Sequence, residues 1–170
     1  MNLRDYIEEV PDFPEKGVSF KDITPLLEDP EAFAHAARAL MDFTEGLKID
    51  KVVGIESRGY FFAPLLAFRL GAGFIPARKP GKLPRKTRSQ RYDLEYGNDA
   101  LEIHEASISK GDRVLIHDDV LATGGTARAM CHLIENLGGH VVQCNFLIEL
   151  GFLNGRDKLG GFPVKSLIAY

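Results

Sequence analysis

The chain has 170 residues, 45% of them hydrophobic and 26% charged, with two cysteines; this excludes a disordered chain, a collagen-like one and a disulfide-stapled miniprotein. A chain of this length buries about 70% of the surface its unfolded state exposes, so residues 1–170 read as a single domain with a real core. The formal net charge of −3 argues against a general nucleic-acid coat, yet it hides a segregation: residues 78–92 hold seven basic side chains (Arg78, Lys79, Lys82, Arg85, Lys86, Arg88, Arg91) and no acidic one, which leaves −10 for the rest.

In chain order, residues 2–9 read as a short helix closed by Pro11, and residues 11–28, rich in proline and turn formers, as an irregular segment. Asp29-Pro30 starts a helix, with Asp as N-cap and Pro at the first helical position; Phe33, Ala36, Ala37, Leu40, Met41 and Thr44 follow at helical spacing up to Gly46. Residues 51–55 form an apolar strand, and Glu56-Ser57-Arg58-Gly59 leads from it into a helix over about 60–70, with Pro64 early enough to be tolerated. Residues 74–76 are a second strand. The basic segment, with Pro80, Gly81 and Pro84, reads as a loop. Two strands at 91–96 and 100–104 flank a turn at Gly97-Asn98. Val114 to Ile116 is a buried strand ending at His117-Asp118-Asp119. A helix over about 125–137 stops at Gly138, and strands at 141–150 and 164–169 complete the chain. Short buried strands alternating with helices predict an α/β fold with a mostly parallel sheet.

No apolar run approaches 20 residues, and the opening MNLRDYIEEVPDF has no secretory hydrophobic region, so a cytoplasmic protein without a membrane partner is expected. Cys131 and Cys144 lie on different apolar segments and read as reduced, buried thiols. Cys131, His132, His140 and Cys144 do not have zinc-ligand spacing.

The most informative stretch is Val114 to Thr126, VLIHDDVLATGGT. A strand delivers two adjacent carboxylates, Asp118 and Asp119, to the sheet edge where ligands of open α/β folds bind. Ala122-Thr123-Gly124-Gly125-Thr126 then opens a helix whose free N–H groups and positive dipole end suit a phosphate monoester. Two carboxylates beside it suit the vicinal hydroxyls of a ribose and support a nearby Mg²⁺. A site for ribose 5-phosphate follows. The Walker A lysine is absent, which excludes an ordinary P-loop NTPase.

This stretch resembles the phosphoribosyl-diphosphate (PRPP) motif of the type I phosphoribosyltransferases. Phe13-Pro14, Gly17, Phe20-Lys21-Asp22-Ile23-Thr24-Pro25, Gly54-Ile55-Glu56-Ser57-Arg58-Gly59, Arg78-Lys79-Pro80-Gly81-Lys82-Leu83-Pro84 and Leu94-Glu95-Tyr96-Gly97 are similar, in the same order, to segments of that family's adenine-specific branch. The resemblance implies the type I fold, with a hood from about residues 1–30 and a lid loop at about 79–97. It implies transfer of the 5-phosphoribosyl group from PRPP to adenine, with Mg²⁺, in a homodimer whose loops reach across the interface. Glu56, Ser57 and Arg58 would form the diphosphate loop, with a cis Glu56–Ser57 peptide, and Arg78, Lys79 and Lys82 would also bind PRPP. Glu95 would be the acid/base or orienting group at the purine, with Tyr96 beside it on the lid. Ser19, Phe20 and Lys21 would recognise the base edge, and Val120 and Leu121 would pack on its face. The family usually has Arg where Lys21 stands, and an aliphatic residue where His117 stands; His117 reads as structural. The first half of the basic run, Arg78 to Lys82, is then a diphosphate-facing segment rather than a nucleic-acid patch, while Arg85 to Arg91 read as lid residues without assigned contacts or as a solvated loop. Two alternatives stay open here: a 6-oxopurine enzyme, and a non-catalytic PRPP-sensing regulator.

Overall fold

The apolar runs in the middle of the chain become strands of one parallel sheet, because a strand covered on both faces can hold side chains this uniformly apolar. The computed structural model describes residues 1–93 and 98–170. A 3-10 turn at Leu3–Tyr6 precedes strand β1 (Glu8–Pro11), which pairs antiparallel with β2 (Ser19–Asp22). Helices α1 (Thr24–Glu28) and α2 (Pro30–Asp42) follow. Strand β3 (Lys51–Ile55) passes through a 3-10 turn at Arg58–Phe61 into α3 (Ala63–Leu70) and then β4 (Gly73–Ala77). Strands β5 (Thr87–Asp93) and β6 (Asn98–His104) form an antiparallel pair. The rest is β7 (Arg113–Leu121), α4 (Gly125–Asn136), β8 (His140–Glu149), α5 (Gly155–Lys158) and β9 (Val164–Ala169). The five-stranded parallel sheet has the order β4-β3-β7-β8-β9, so β7 is its central strand.

Each face of the sheet is covered. On one side Val53, Ile55, Ile116 and Phe146 meet Met130 and Ile134 of α4 and Leu101 and Ile103 of β6. On the other, Val52, Leu115 and Leu147 meet Leu40 of α2 and Phe62 and Leu66 at the start of α3. The predicted cap at Asp29 is in place: its Oδ1 accepts from Glu31 N at 3.0 Å and Ala32 N at 2.8 Å.

Three expectations are corrected. The N-terminal helix over 2–9 is only a 3-10 turn followed by β1, and the segment 11–28 contains β2 and α1. The pairing of Glu8–Pro11 with Ser19–Asp22 decides this, and that contact is invisible to a local reading of turn formers. The helix expected from Tyr60 starts at Ala63, with 3-10 geometry before it. The basic segment is a loop only as far as Lys86; from Thr87 it is strand, paired residue for residue with β6. Arg88 and Arg91 are both exposed, on opposite faces of the two-stranded pair, while Tyr92 packs against the core, so the charges that suggested a loop are carried by a strand that is largely solvated.

Candidate active site

The central strand β7 carries Asp118 and Asp119 to the middle of the carboxyl edge of the sheet. The chain then turns through Ala122 to Gly124, where Gly124 has φ +80°, and its carbonyl accepts from Arg128 N at 3.0 Å to start α4. Thr123, Gly124 and Thr126 line a 60 Å³ cavity with Asp118 at its side. The unpaired amides of the first turn of α4 and the threonine hydroxyls give this cavity donors and a positive dipole end.

The turn after β3 lies against this edge. The Glu56–Ser57 peptide is cis, as the family resemblance implies. Gly59 permits the close approach: a Cβ there would stand 3.0 Å from both Asp118 Oδ1 and the His117 carbonyl oxygen. Arg58 joins three segments. Its Nε is 2.8 Å from Asp119 Oδ2, and its guanidinium lies over the Phe20 ring of β2, 4.6 Å from the centroid. Its Nη1 is buried without a hydrogen-bond partner. Glu56 gathers the basic loop by accepting from Arg78 Nε at 3.2 Å and from Lys79 N at 3.0 Å. Lys79 Nζ pairs with Asp99 Oδ2 of β6 at 3.0 Å, and Arg78 Nη1 donates to the Lys82 carbonyl at 3.3 Å.

The electrostatics follow from burial and partners. Burial and the neighbouring Asp119 carboxyl push Asp118 well above the usual carboxylate range. Burial also raises Asp119, with the Arg58 guanidinium pulling against it. Hydrogen bonds from the Lys79 amide and the Arg78 side chain hold Glu56 below its ordinary value. His117 is fully buried; its Nδ1 is 2.7 Å from Asn145 Oδ1, and burial depresses its pKa to about 4. It is a neutral core residue.

A phosphoribosyl transferase domain model matches residues 23–158. Adenine phosphoribosyltransferase of Christiangramia forsetii is 65% identical over 170 residues, covering 100% of this chain and 99% of the relative. The structure is similar to that of adenine phosphoribosyltransferase from Thermoanaerobacter pseudethanolicus, with a TM-score of 0.97 and 52% identity over 99% of this chain and 98% of the other. The chain belongs to the adenine phosphoribosyltransferase family. It is also similar to the Saccharomyces cerevisiae enzyme, solved with D-2,5-dideoxy-2,5-imino-altritol 1,6-bisphosphate and adenine; there the TM-score is 0.91, with 42% identity over 97% of this chain and 96% of that one.

In this family member, the fold brings together Phe20, Glu56, Ser57, Arg58, Arg78, Lys79, Asp118, Asp119 and the 122–126 turn. Other predicted residues face elsewhere. The Ser19 hydroxyl donates to Glu9, and Lys21 Nζ pairs with Glu9 at 2.8 Å and lies 4.5 Å from the Tyr170 ring centroid. Alternation along β2 explains this: Phe20 takes the side of Arg58, and its neighbours take the opposite one. Leu121 is only 1% exposed and packs in the core, so Val120, partly exposed, is the one of that pair with free surface. Arg85 contacts His104, while Lys86 and Arg88 pair with Glu105, all away from the carboxylate pair. Glu95 and Tyr96 lie outside the described residues.

A 620 Å³ cavity between α2 and α3 is lined by none of the predicted site residues. Asp99, which anchors Lys79, carries no signal in the sequence, because nothing in its local pattern distinguishes it from a surface carboxylate. Cys131 and Cys144 are free and buried, with sulfurs 3.4 Å apart. Among the described residues, no group of three or more His, Cys, Asp or Glu could hold a metal ion, and no helix is long and apolar enough to cross a membrane.

Proposed function

We propose that the protein transfers the 5-phosphoribosyl group of PRPP to adenine, giving AMP and diphosphate. One observation carries the reading: a phosphate-sized turn with free amides, a carboxylate pair and a cluster of Arg58, Arg78 and Lys79 converge on one sheet edge. That order of donors, acceptors and cations matches a sugar with a phosphate at one end, vicinal hydroxyls in the middle and a diphosphate at the other.

The turn from Ala122 to Thr126 holds the 5-phosphate through amides and the Thr123 and Thr126 hydroxyls. Asp118 and Asp119 accept from the ribose hydroxyls. Arg58 exchanges Asp119 for the diphosphate, and Arg78, Lys79 and Lys82 join it as the C1–O bond breaks, so charge developing on the leaving group meets preplaced donors. The transition state is oxocarbenium-like at C1, and the purine nitrogen attacks that carbon. Positioning and charge stabilisation are the protein's main contributions. Phe20 and Val120 flank the base, while the backbone of Ser19 to Lys21 reads its edge. Glu95 orients the base or takes its proton. Tyr96 stands with it on a lid spanning about 79–97, which excludes water from the reacting centre. Residues 1–30 serve as the hood of a single 1–170 domain.

Two adjacent carboxylates, with Asp119 Oδ2 lacking a hydrogen bond of good geometry, fit a divalent cation that arrives on PRPP better than a resident metal. When bound, Mg²⁺ supplies neutralisation of diphosphate charge beside Asp118 and Asp119. The exposed aromatic rings of Phe61, Phe68 and Phe74 support a homodimer. The two free buried thiols suit a reducing cytoplasm. Neither a nucleic acid nor a membrane is a partner in this reading.

Initial rates with PRPP, Mg²⁺ and adenine, hypoxanthine, guanine or xanthine test it. Turnover with adenine alone is expected. Turnover only with a 6-oxopurine would move the enzyme to another specificity, and PRPP binding without turnover of any base would make it a sensor.

A further inference from the structure

The phosphate-binding turn is not held by its own sequence alone. Behind it stands the segment after β8, whose glycine makes an unusually close backbone contact. Gly155 is buried, and a Cβ on it would overlap the Ala122 carbonyl oxygen and come within 3.1 Å of Gly124 N. The contact is reciprocal: a Cβ on Gly124 would overlap the Gly155 carbonyl oxygen and reach its Cα at 3.2 Å. All of these atoms except the added carbon belong to backbone, so neither side can yield by rotating a side chain.

A second set of contacts fixes where Gly155 sits. The next residue, Arg156, grips Glu149 at the end of β8 with both arms of its guanidinium, Nε to Oε1 at 2.6 Å and Nη2 to Oε2 at 2.8 Å. The same guanidinium donates to Ser166 Oγ and the Val164 carbonyl of β9, each at 3.0 Å. Leu150 N donates to the Leu121 carbonyl at 2.9 Å, just before the turn begins. Arg128 on α4 reaches the Lys158 carbonyl at 3.3 Å.

We propose that Gly155 is a positioning residue for the phosphate site: its bare α-carbon, clasped to the sheet through Arg156 and Glu149, sets the backbone of Ala122–Gly124 so that its amides converge on the phosphate of PRPP. This rests on the reading of that turn as the phosphate site. It adds a residue about thirty positions downstream that touches no substrate. Any side chain at 155 displaces the turn, and a misplacement of about 1 Å is costly for a preorganised site.

Calorimetric titration with ribose 5-phosphate, alongside steady-state kinetics, tests the idea. Gly155→Ala weakens ribose 5-phosphate binding by about 10-fold or more and raises KM for PRPP, while KM for adenine stays within error and the far-ultraviolet circular dichroism is unchanged. Arg156→Ala weakens binding in the same direction, and Arg156→Lys restores part of it, because Lys keeps the charge but not the two-armed geometry. Should Gly155→Ala fail to fold, the Arg156 pair decides. Wild-type affinity for ribose 5-phosphate in folded Gly155→Ala, or in Arg156→Ala, would overturn the inference. So would equal losses for PRPP and adenine, the mark of general destabilisation. No binding of ribose 5-phosphate by the unaltered protein would instead overturn the phosphate-site reading, and this inference with it.

Discussion

Arg58 is the residue on which β2, the turn after β3 and the central strand β7 meet. Its place on a strand-to-helix turn, and the Asp118-Asp119 pair at the end of an apolar strand, were both legible in the sequence, because each signal is local. The partners were not: that Phe20 lies under the Arg58 guanidinium, or that Asp99 holds Lys79, depends on segments distant in the chain. Asp118→Asn keeps the shape but removes a charged acceptor, and kcat/KM for PRPP falls by about 10-fold or more. Glu95→Ala lowers kcat by about 100-fold with little change in PRPP affinity; an unchanged kcat would remove Glu95 from the chemistry. His117 gives a pH prediction. Its folded pKa is about 4, against 6.5 for the ordinary imidazole, so between these values the unfolded chain binds a proton that the folded protein excludes. Stability therefore rises with pH across that window, by at most about 1.4 kcal/mol per unit, and is lost as pH falls towards 4. Urea unfolding of His117→Leu should show a shallower slope between pH 4 and 6.5 than the unaltered protein. Equal slopes would contradict the buried neutral histidine.

At the scale of elements, reading succeeded where one segment carries its own signal. The N-cap of α2 is such a case, and Asp29→Ala should cost about 1 kcal/mol of stability in denaturant titrations, with activity at 25 °C retained. It failed where pairing decides. Strands β1 and β2 have four residues each and, among the described residues, pair with one another alone, so proline and turn residues dominated the local pattern. Strand β5 was hidden by its own charges. Tyr92 packs against the core while Arg88 and Arg91 stay exposed on opposite faces, and seven successive residue pairs with β6 outweigh the loop-like composition. The segment 151–163, which offered no motif, contains the turn that backs the Ala122–Gly124 backbone. A backbone contact between two glycines leaves no mark in composition.

For the whole molecule, the charge segregation resolves into two parts. Arg78 and Lys79 stand at the carboxylate edge, engaged by Glu56 and Asp99, whereas Lys86 and Arg88 are matched by Glu105 at the far end of the β5–β6 pair. Only the first part belongs to the candidate site. The exposed rings of Phe61, Phe68 and Phe74 lead to a prediction at this scale: sedimentation should give a dimer, and Phe68→Ser should shift it towards monomer; a monomeric unaltered protein would contradict this. The central claim, that one edge of the sheet moves a phosphoribosyl group onto adenine while excluding water, is tested most directly by ³¹P nuclear magnetic resonance of the protein with PRPP, Mg²⁺ and adenine. AMP and diphosphate should appear in equal amounts, with no build-up of ribose 5-phosphate. Diphosphate released without AMP, or PRPP left unconsumed, would contradict it.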